Sequence, residues 1–538
     1  MPLAMNRRPA PRLRSGLVAV AAILGWQAAA PSVAAQELTI VREVDSDRYD
    51  PQRSTARGAS EVLFMLGDTL VSLDYDMQTI QPGLAESWEV SEDGKTYTFH
   101  LRDDVTFCDG KKMTADDVVY TIKRWVDPAT KSPVAWRAGK VDDVVATSPT
   151  TVEYRLKEPF SELLYQLTQS FATVIDQANV EALGENFGVQ GFNGTGPFCW
   201  GEWQPRNIFR LTRHDAYQWG PPIYQNRGPA QIESITWQIV PEENTRGVAV
   251  MTGQSDVTQY VPYSMLAQMR SMPNVQVQRT DAAFWTYFMG FKVDKPMVDE
   301  EAVRRAMVMA VDQEAIAQNL YFGEVQPAHS YISEETLDWN PELEETLLKP
   351  DVDAANALLD EAGWEMGDDG FRYKDGEKLA PLAYGFTGST WQRLTEAVQG
   401  DLRRIGVDLQ IQLFDSTVYW GKVATQEFDV FGMSYPYVSA GDALNLYFRS
   451  QNVPTPNRMN WINDETDRLL DEGMAATDDA TRAQAYGQVL RQVHDAAVWI
   501  PLYHEPLYLV GSSELEGLKP HNIYGCGLYK ALDLKFKS

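Results

Sequence analysis

Apolar and polar residues alternate with a period of two in the segment WEVSEDGKTYTFHLRDDVTF, residues 88–107. Asp93-Gly94 provides a tight turn within it, so the pattern predicts two strands joined as a hairpin. A helical pattern follows, because Thr114 and Asp117 have the spacing of an N-terminal capping box. The apolar positions that come next share one helical face: Val118, Ile122 and Trp125.

Helical periodicity dominates residues 300–433. The residues Leu394, Val398, Leu402 and Ile405 fall on one face, Gly406 ends that helix, and residues 407–413 then alternate like a strand. This combination indicates an α/β lobe. The chain has no internal repeat and no low-complexity linker, so we expect strands to cross directly between lobes. The candidate crossings are FWTYFMGFKV (284–293) and VWIPLYHEPLYLV (498–510).

The first 35 residues have the pattern of a secretory signal peptide. An arginine-rich start precedes an apolar segment from Gly16 to Trp26, and small residues end at Ala34-Ala35. No nearby cysteine could carry a lipid, so we expect a soluble mature protein in the Gram-negative periplasm. After Ala35 no stretch reaches the roughly 18 apolar residues that a membrane span requires.

Composition narrows the classes of partner and the redox chemistry. A formal net charge of −28 over 538 residues disfavours binding to nucleic acid and anionic lipid. The length predicts two or three subdomains. The three cysteines, Cys108, Cys199 and Cys526, allow at most one disulfide. All three pairings remain open at this point, as does a fully reduced state.

Catalytic and metal-binding motifs are not found in the sequence. The six histidines do not pair at metal-ligand spacing, and no His-Glu-x-x-His or Gly-x-Ser-x-Gly segment occurs. Adjacent carboxylates such as Asp116-Asp117 do not form the opposed pair of a glycosidase. We therefore predict no catalytic residue, no metal and no cofactor.

Several long segments, in order along the chain, resemble one known family. They are LAESWEVSEDGKTYTFHLRDDVTFCDGKKMTADDVVYTIKR (84–124), GTGPF (194–198), HDAYQWG (214–220), VRRAMVMAVDQEAI (303–316), DAANALLDEAGW (353–364) and DGFRYKDGEKL (369–379). They resemble the family 5 extracellular solute-binding proteins of ABC importers, which include dipeptide, oligopeptide, glutathione and nickel binders.

The resemblance implies a two-lobe α/β periplasmic binding protein fold, type II-like, with an extra subdomain in lobe I and two chain crossings at the hinge. It divides the chain into a signal peptide (1–35), lobe I (36–72, 190–288 and 504–538), its extra subdomain (73–189) and lobe II (289–503). It also implies a monomer that closes on its cargo and docks on ABC transporter permease subunits.

The same resemblance points to a ligand-binding loop. In peptide-binding relatives, the loop after the strand that corresponds to FDVFGM carries an aspartate that pairs with the peptide's amino terminus. Here that segment is SYPYVSAGD (434–442), in which Asp442 comes later than the family's aspartate. By position and chemistry, the predicted ligand-binding residues are Tyr260, Trp285, Tyr287, Trp420, Tyr435, Tyr437 and Asp442.

The leading hypothesis is therefore capture of a short peptide or peptide-like solute for an ABC importer. An oligosaccharide or opine cargo is the alternative, because the predicted site is aromatic and the amine-binding aspartate is displaced. Nickel is disfavoured because SYPYVSAGD contains no histidine. A secreted hydrolase is the third reading, and the missing catalytic motifs count against it.

Overall fold

The structure of the protein is a computed structural model that describes residues 36–537 except Ala282. The predicted signal peptide, residues 1–35, lies outside the described residues. Helices and strands are numbered in chain order.

The α-helices alternate with strands along most of the chain. They are α1 (Arg57–Leu66), α2 (Ala115–Val126), α3 (Leu163–Gln166), α4 (Gln177–Leu183), α5 (Glu243–Met251), α6 (Tyr263–Ser271), α7 (Glu301–Ala310), α8 (Gln313–Leu320), α9 (Val352–Glu361), α10 (Ser389–Arg403), α11 (Ser416–Val423), α12 (Ala440–Phe448), α13 (Asp464–Ala475) and α14 (Asp479–Asp495).

The strands form two large sheets and several smaller ones. They are β1 (Glu37–Arg42), β2 (Val71–Leu73), β3 (Ile80–Pro82), β4 (Ala85–Val90), β5 (Thr96–Leu101), β6 (Val141–Ser148), β7 (Thr151–Leu156), β8 (Phe198–Gln204), β9 (Ile208–Arg213), β10 (Ser234–Ile239), β11 (Val257–Gln259), β12 (Val275–Arg279), β13 (Trp285–Phe291), β14 (Gln326–Pro327), β15 (Glu365–Met366), β16 (Arg372–Lys374), β17 (Glu377–Lys378), β18 (Leu382–Phe386), β19 (Gln410–Phe414), β20 (Val430–Pro436), β21 (Trp499–His504), β22 (Tyr508–Ser512), β23 (Leu515–Glu516) and β24 (Lys535–Phe536).

Each large sheet is the centre of one lobe. The first has the strand order β12-β22-β11-β1-β10-β9-β8, and the second has the order β14-β21-β13-β20-β18-β19. The chain passes from the first sheet to the second between β12 and β13 and returns at residues 505–507, between β21 and β22. The segment FWTYFMGFKV therefore lies in the second sheet, just past the first crossing, whereas VWIPLYHEPLYLV contains the second crossing.

The predicted hairpin and helix form a separate four-stranded unit with the order β4-β5-β7-β6. Strands β4 and β5 pair antiparallel around the turn at Gly94, where φ is +66°. Thr114 and Asp117 form the predicted capping box of α2, and the side chains of Val118, Ile122 and Trp125 are buried. The hairpin and the helix start therefore follow the local pattern, whereas the pairing of β5 with β7 joins segments about 50 residues apart.

Three strands of the second lobe are parallel, and helices connect them. Strand β18 pairs parallel with both β19 and β20, and α10 and α11 provide the connections that parallel pairing requires. The predicted apolar face of α10 is buried, and Gly406 follows the helix with φ +79°. The strand predicted from residue 407 starts later, at Gln410. Val407 and Leu409 come before its hydrogen-bonded part and are buried.

Cys108 and Cys199 form a disulfide bond that joins the segment after β5 to strand β8. Cys526 is a free thiol and is buried. This pairing settles the alternatives that the sequence left open. Over residues 36–537, leaving aside Ala282, no helix has the length and apolar character needed to cross a membrane.

Candidate functional site

A cavity of about 560 Å³ lies between the two lobes, a volume typical of small-molecule sites. Segments after β1, β10 and β11 line it from the first lobe, and residues of β13, β21 and the start of α10 line it from the second. Six of its aromatic lining residues are Tyr260, Tyr263, Tyr287, Tyr321, Trp391 and Tyr503. The cavity therefore has walls from both lobes that are rich in aromatic rings.

Sheet register explains the largest aromatic wall. Tyr287 on β13 and Tyr503 on β21 are cross-strand partners, and their rings stack with centroids 4.3 Å apart. Trp391, in the first turn of α10, packs against Tyr287 at 5.3 Å. Pairing between two strands thus places one ring stack at the cavity, and α10 extends it.

Backbone geometry positions the first-lobe wall. Tyr260 follows β11 in the left-handed region, with φ +58°, and this conformation turns the chain toward α6. The buried side chain of Arg246 donates a hydrogen bond to the carbonyl of Tyr260 at 2.7 Å. Tyr263 then begins α6 and points its hydroxyl toward Glu505.

Glu505 lies at the second crossing, on the cavity wall. Its carboxylate accepts hydrogen bonds from the hydroxyls of Tyr287, at 3.0 Å, and of Tyr263. Burial raises the pKa of Glu505 above its ordinary value, although both tyrosines and the more distant Arg57 act in the opposite direction. A carboxylate therefore faces the cavity at the hinge.

Arg57 brings positive charge to the same region. Its guanidinium lies 3.7 Å from the centre of the Tyr260 ring and 5.3 Å from that of the Trp285 ring. A weak ion pair of 3.9 Å links it to Glu43. Arg393 on α10 also lines the cavity, so both signs of charge are present there.

Two of the residues predicted from sequence, Tyr260 and Tyr287, line this cavity. Trp285 lies beside it, against Arg57 and close to Gly525, and is not among the lining residues. Trp420 is also not among the lining residues; 46% of its surface is exposed, and its ring packs against Phe386.

The segment SYPYVSAGD is not the exposed loop expected from its irregular pattern. Its first three residues complete β20 in the second sheet, and its last three begin α12. Tyr437 is buried, and its hydroxyl accepts a hydrogen bond of 2.6 Å from the backbone N–H of Ser333. Pairing of β20 with β13 and capping of α12 by Ser439 override the local irregularity.

Asp442 and Tyr435 bind a residue of the predicted extra subdomain and do not line the cavity. Asp442 forms a buried ion pair with Arg137 at 2.7 Å. Arg137 also donates to the hydroxyl of Tyr435 at 2.6 Å and to Gln166 Oε1 at 2.7 Å. Because Arg137 already neutralises it, Asp442 does not present a free carboxylate to a cargo.

A second buried carboxylate, Glu162, lies near this ion pair. Its Oε2 accepts a hydrogen bond of 2.5 Å from the hydroxyl of Ser439. Burial raises the pKa of Glu162 to about 7, with smaller effects from the neighbouring Asp338, Asp442 and Arg482. This carboxyl thus links α3, which it precedes, to the residue that caps α12.

We expect the pKa of Glu162 to make stability fall with rising pH. The folded protein retains a proton that the unfolded chain releases near pH 4.5, so the free energy of unfolding declines between about pH 4.5 and 7. The decline from this group is about 3 kcal/mol. Urea unfolding at pH 5 and pH 8 should show a smaller decline for Glu162→Gln than for the parent. The control is Glu158→Gln, which changes a half-exposed carboxylate paired with Lys140 and should decline as the parent does. Equal declines in all three proteins would show that Glu162 is not the group responsible.

Several cavity residues were missed at the sequence level. Tyr503 and Glu505 lie in VWIPLYHEPLYLV, so the predicted crossing itself was the available signal. Trp391 and Arg393 lie at the start of α10, and the sequence pattern identified only the apolar face of that helix. Arg57 had no local signal, because its place depends on the packing of α1 against distant rings.

One group of metal-ligating residue types is compact among the described residues: Cys108, Cys199 and His214. The two cysteines are joined in the disulfide, so neither provides a thiolate. His214 Nδ1 lies 3.0 Å from the carbonyl oxygen of Gly196. The arrangement is therefore structural.

Two α/β lobes joined by two crossings, with a charged and ring-lined cavity between them, define a two-lobe binding protein. A model of bacterial extracellular solute-binding proteins, family 5, middle part, matches residues 79–454. The chain belongs to this family of solute-binding proteins. Its members are binding components of ABC importers and not enzymes.

Known relatives cover nearly the whole chain. The glutathione-binding protein GsiB of Escherichia coli O1:K1 / APEC is 27% identical over 516 residues, covering 94% of this chain and 96% of GsiB. Heme-binding protein A of Haemophilus influenzae is 26% identical over 477 residues, 83% of each chain. The structure of the oligopeptide-binding protein AppA from Bacillus subtilis, in complex with a nonapeptide, has the same fold, with a TM-score of 0.79 at 20% identity over 93% of this chain and 99% of AppA.

Proposed function

We propose that this protein binds a short peptide or peptide-like solute in the periplasm and delivers it to the permease of an ABC importer. The single observation that carries the cargo class is the interlobe cavity, which combines aromatic walls with carboxylate and guanidinium groups. A short peptide has complementary chemistry, since it carries a positive amine, a negative carboxylate and side chains that pack on rings.

Size and relatives support the same class. About 560 Å³ suits a small solute and not a folded partner. The relative GsiB is named for glutathione, which is a small peptide. Export rests on the sequence of residues 1–35. The lobe boundaries given above remain part of the proposal, with closure of the lobes on cargo as the event that the permease recognises.

A thermal-shift screen of the mature protein tests the cargo class. A pool of tripeptides should raise the melting temperature, because a ligand that binds only the folded state stabilises it. Neutral oligosaccharides should not. Mass spectrometry of the bound fraction then identifies the peptides. A shift with oligosaccharides alone would refute the peptide assignment.

A pair of tryptophan variants tests the location of the site. Trp391→Ala removes a ring that extends the cavity wall, so we expect a loss of about 1–3 kcal/mol of binding energy toward the peptide from the screen. Trp420→Ala removes an equally large ring outside the cavity and should leave affinity unchanged. Calorimetric titration measures both. Loss of affinity in Trp420→Ala alone would place the site elsewhere.

A further inference from the structure

The position of Glu505 differs from that of the buried acids Glu162 and Asp442, because Glu505 is only partly buried and lines the cavity. It lies in the short crossing between β21 and β22, and its backbone N–H bonds to the carbonyl of Trp285 near the other crossing, at 2.8 Å. Tyr263 from the first lobe and Tyr287 from the second both donate to its carboxylate. The group is therefore held in one place by both lobes.

Its charge is left without a direct partner. No ion pair joins Glu505 to a lysine or arginine within residues 36–537, and Arg57 acts on it only from farther away. Glu505 is partly buried and lines the cavity, so its carboxylate has lost part of its contact with water while a solute can still reach it. Two hydroxyl donors fill only part of its capacity to accept hydrogen bonds. Asp442, in contrast, already has Arg137 at 2.7 Å.

The surrounding rings suit a positive charge. The ring of Tyr287 stacks on that of Tyr503, and Tyr321 lies 4.5 Å from Tyr503 and 5.5 Å from Tyr263, centre to centre. These rings keep water away from part of the carboxylate, and attraction between opposite charges is stronger where water is excluded. A carboxylate among four tyrosines is thus complementary to an ammonium group.

We propose that Glu505 binds a protonated amine of the cargo, so that the protein selects solutes with a free amino group. This inference rests on the proposed function and assigns the amine contact to Glu505 instead of Asp442. The amine comes from the amino terminus of a peptide or from a lysine-like side chain. Both sources offer the same ammonium chemistry.

The test uses the mature protein and the best tripeptide from the screen in three synthetic forms. These are the free peptide, the N-acetylated peptide, and an N-acetylated peptide with lysine at one position. We expect acetylation to weaken binding to the parent at least 30-fold if the terminal amine is recognised. Recovery with the lysine form would instead identify a side-chain amine.

The variant Glu505→Gln should bind the amine-bearing form 10- to 100-fold more weakly and should no longer distinguish it from the acetylated form. Glu505→Asp keeps the charge and should retain part of the discrimination, which separates this role from a loss of folding. Glu324→Gln is the control and should bind both forms as the parent does. The Glu324 carboxylate also accepts a hydrogen bond from a tyrosine hydroxyl, that of Tyr508 at 2.7 Å. Unlike Glu505, it forms an ion pair with Arg270 and is not among the lining residues of the cavity.

The outcomes separate the inference from the proposed function. If Glu505→Gln binds peptides and discriminates amines as the parent does, the inference is overturned while peptide binding stands. Equal binding of free, acetylated and lysine forms by the parent also overturns it. If the parent binds no peptide in the screen, the proposed function fails first.

Discussion

Replacing Cys108 and Cys199 together by serine should lower the free energy of unfolding by about 4–5 kcal/mol. The disulfide closes a loop with a sequence separation of 91 residues. A loop of that length loses much conformational freedom in the unfolded chain, and the chain-entropy relation gives this magnitude. Both cysteines are only half-buried, so serine itself adds little cost.

Urea denaturation with and without reductant measures this effect. Reductant should lower the unfolding midpoint of the parent and leave that of the double-serine variant unchanged, because Cys526 has no disulfide partner. Equal midpoints for the oxidised parent and the double variant would show that the bridge contributes nothing to stability.

Asp442→Asn should destabilise the protein by about 3–5 kcal/mol, because it leaves Arg137 buried without its counter-ion. The sequence-based interpretation leads to another result, in which this substitution weakens amine binding and barely affects unfolding. The double variant Arg137→Met/Asp442→Leu removes both charges and should recover much of the loss.

Asp471→Asn provides the matched control in the same urea titration. Asp471 pairs with Arg449 at 2.7 Å but is 71% exposed, so its substitution should change stability by less than about 0.5 kcal/mol. If Asp442→Asn unfolds like the parent yet loses affinity for peptide, Asp442 is a ligand group after all.

Most local elements could be predicted from the sequence because their causes are local. The hairpin at Asp93-Gly94 and the cap at Thr114 depend on neighbours a few residues away, and both appear in the structure. The segment SYPYVSAGD was misjudged for the opposite reason. Its strand and helix depend on pairing with β13 and on contacts with Glu162 and Arg137, which are distant in sequence.

The sequence by itself determined the family, the two-lobe fold and the region of the second crossing, because long ordered motifs and hydrophobic periods are properties of the chain. Tertiary structure alone decided which polar groups are free to meet a cargo. In the sequence, Asp442 and Glu505 look alike, because each is an acidic residue within a few positions of tyrosines. In the structure, Arg137 neutralises Asp442, whereas Glu505 lies on the cavity wall and accepts hydrogen bonds from tyrosines. Pairing between charged residues that are hundreds of positions apart in the sequence depends on packing, and no local pattern encodes it.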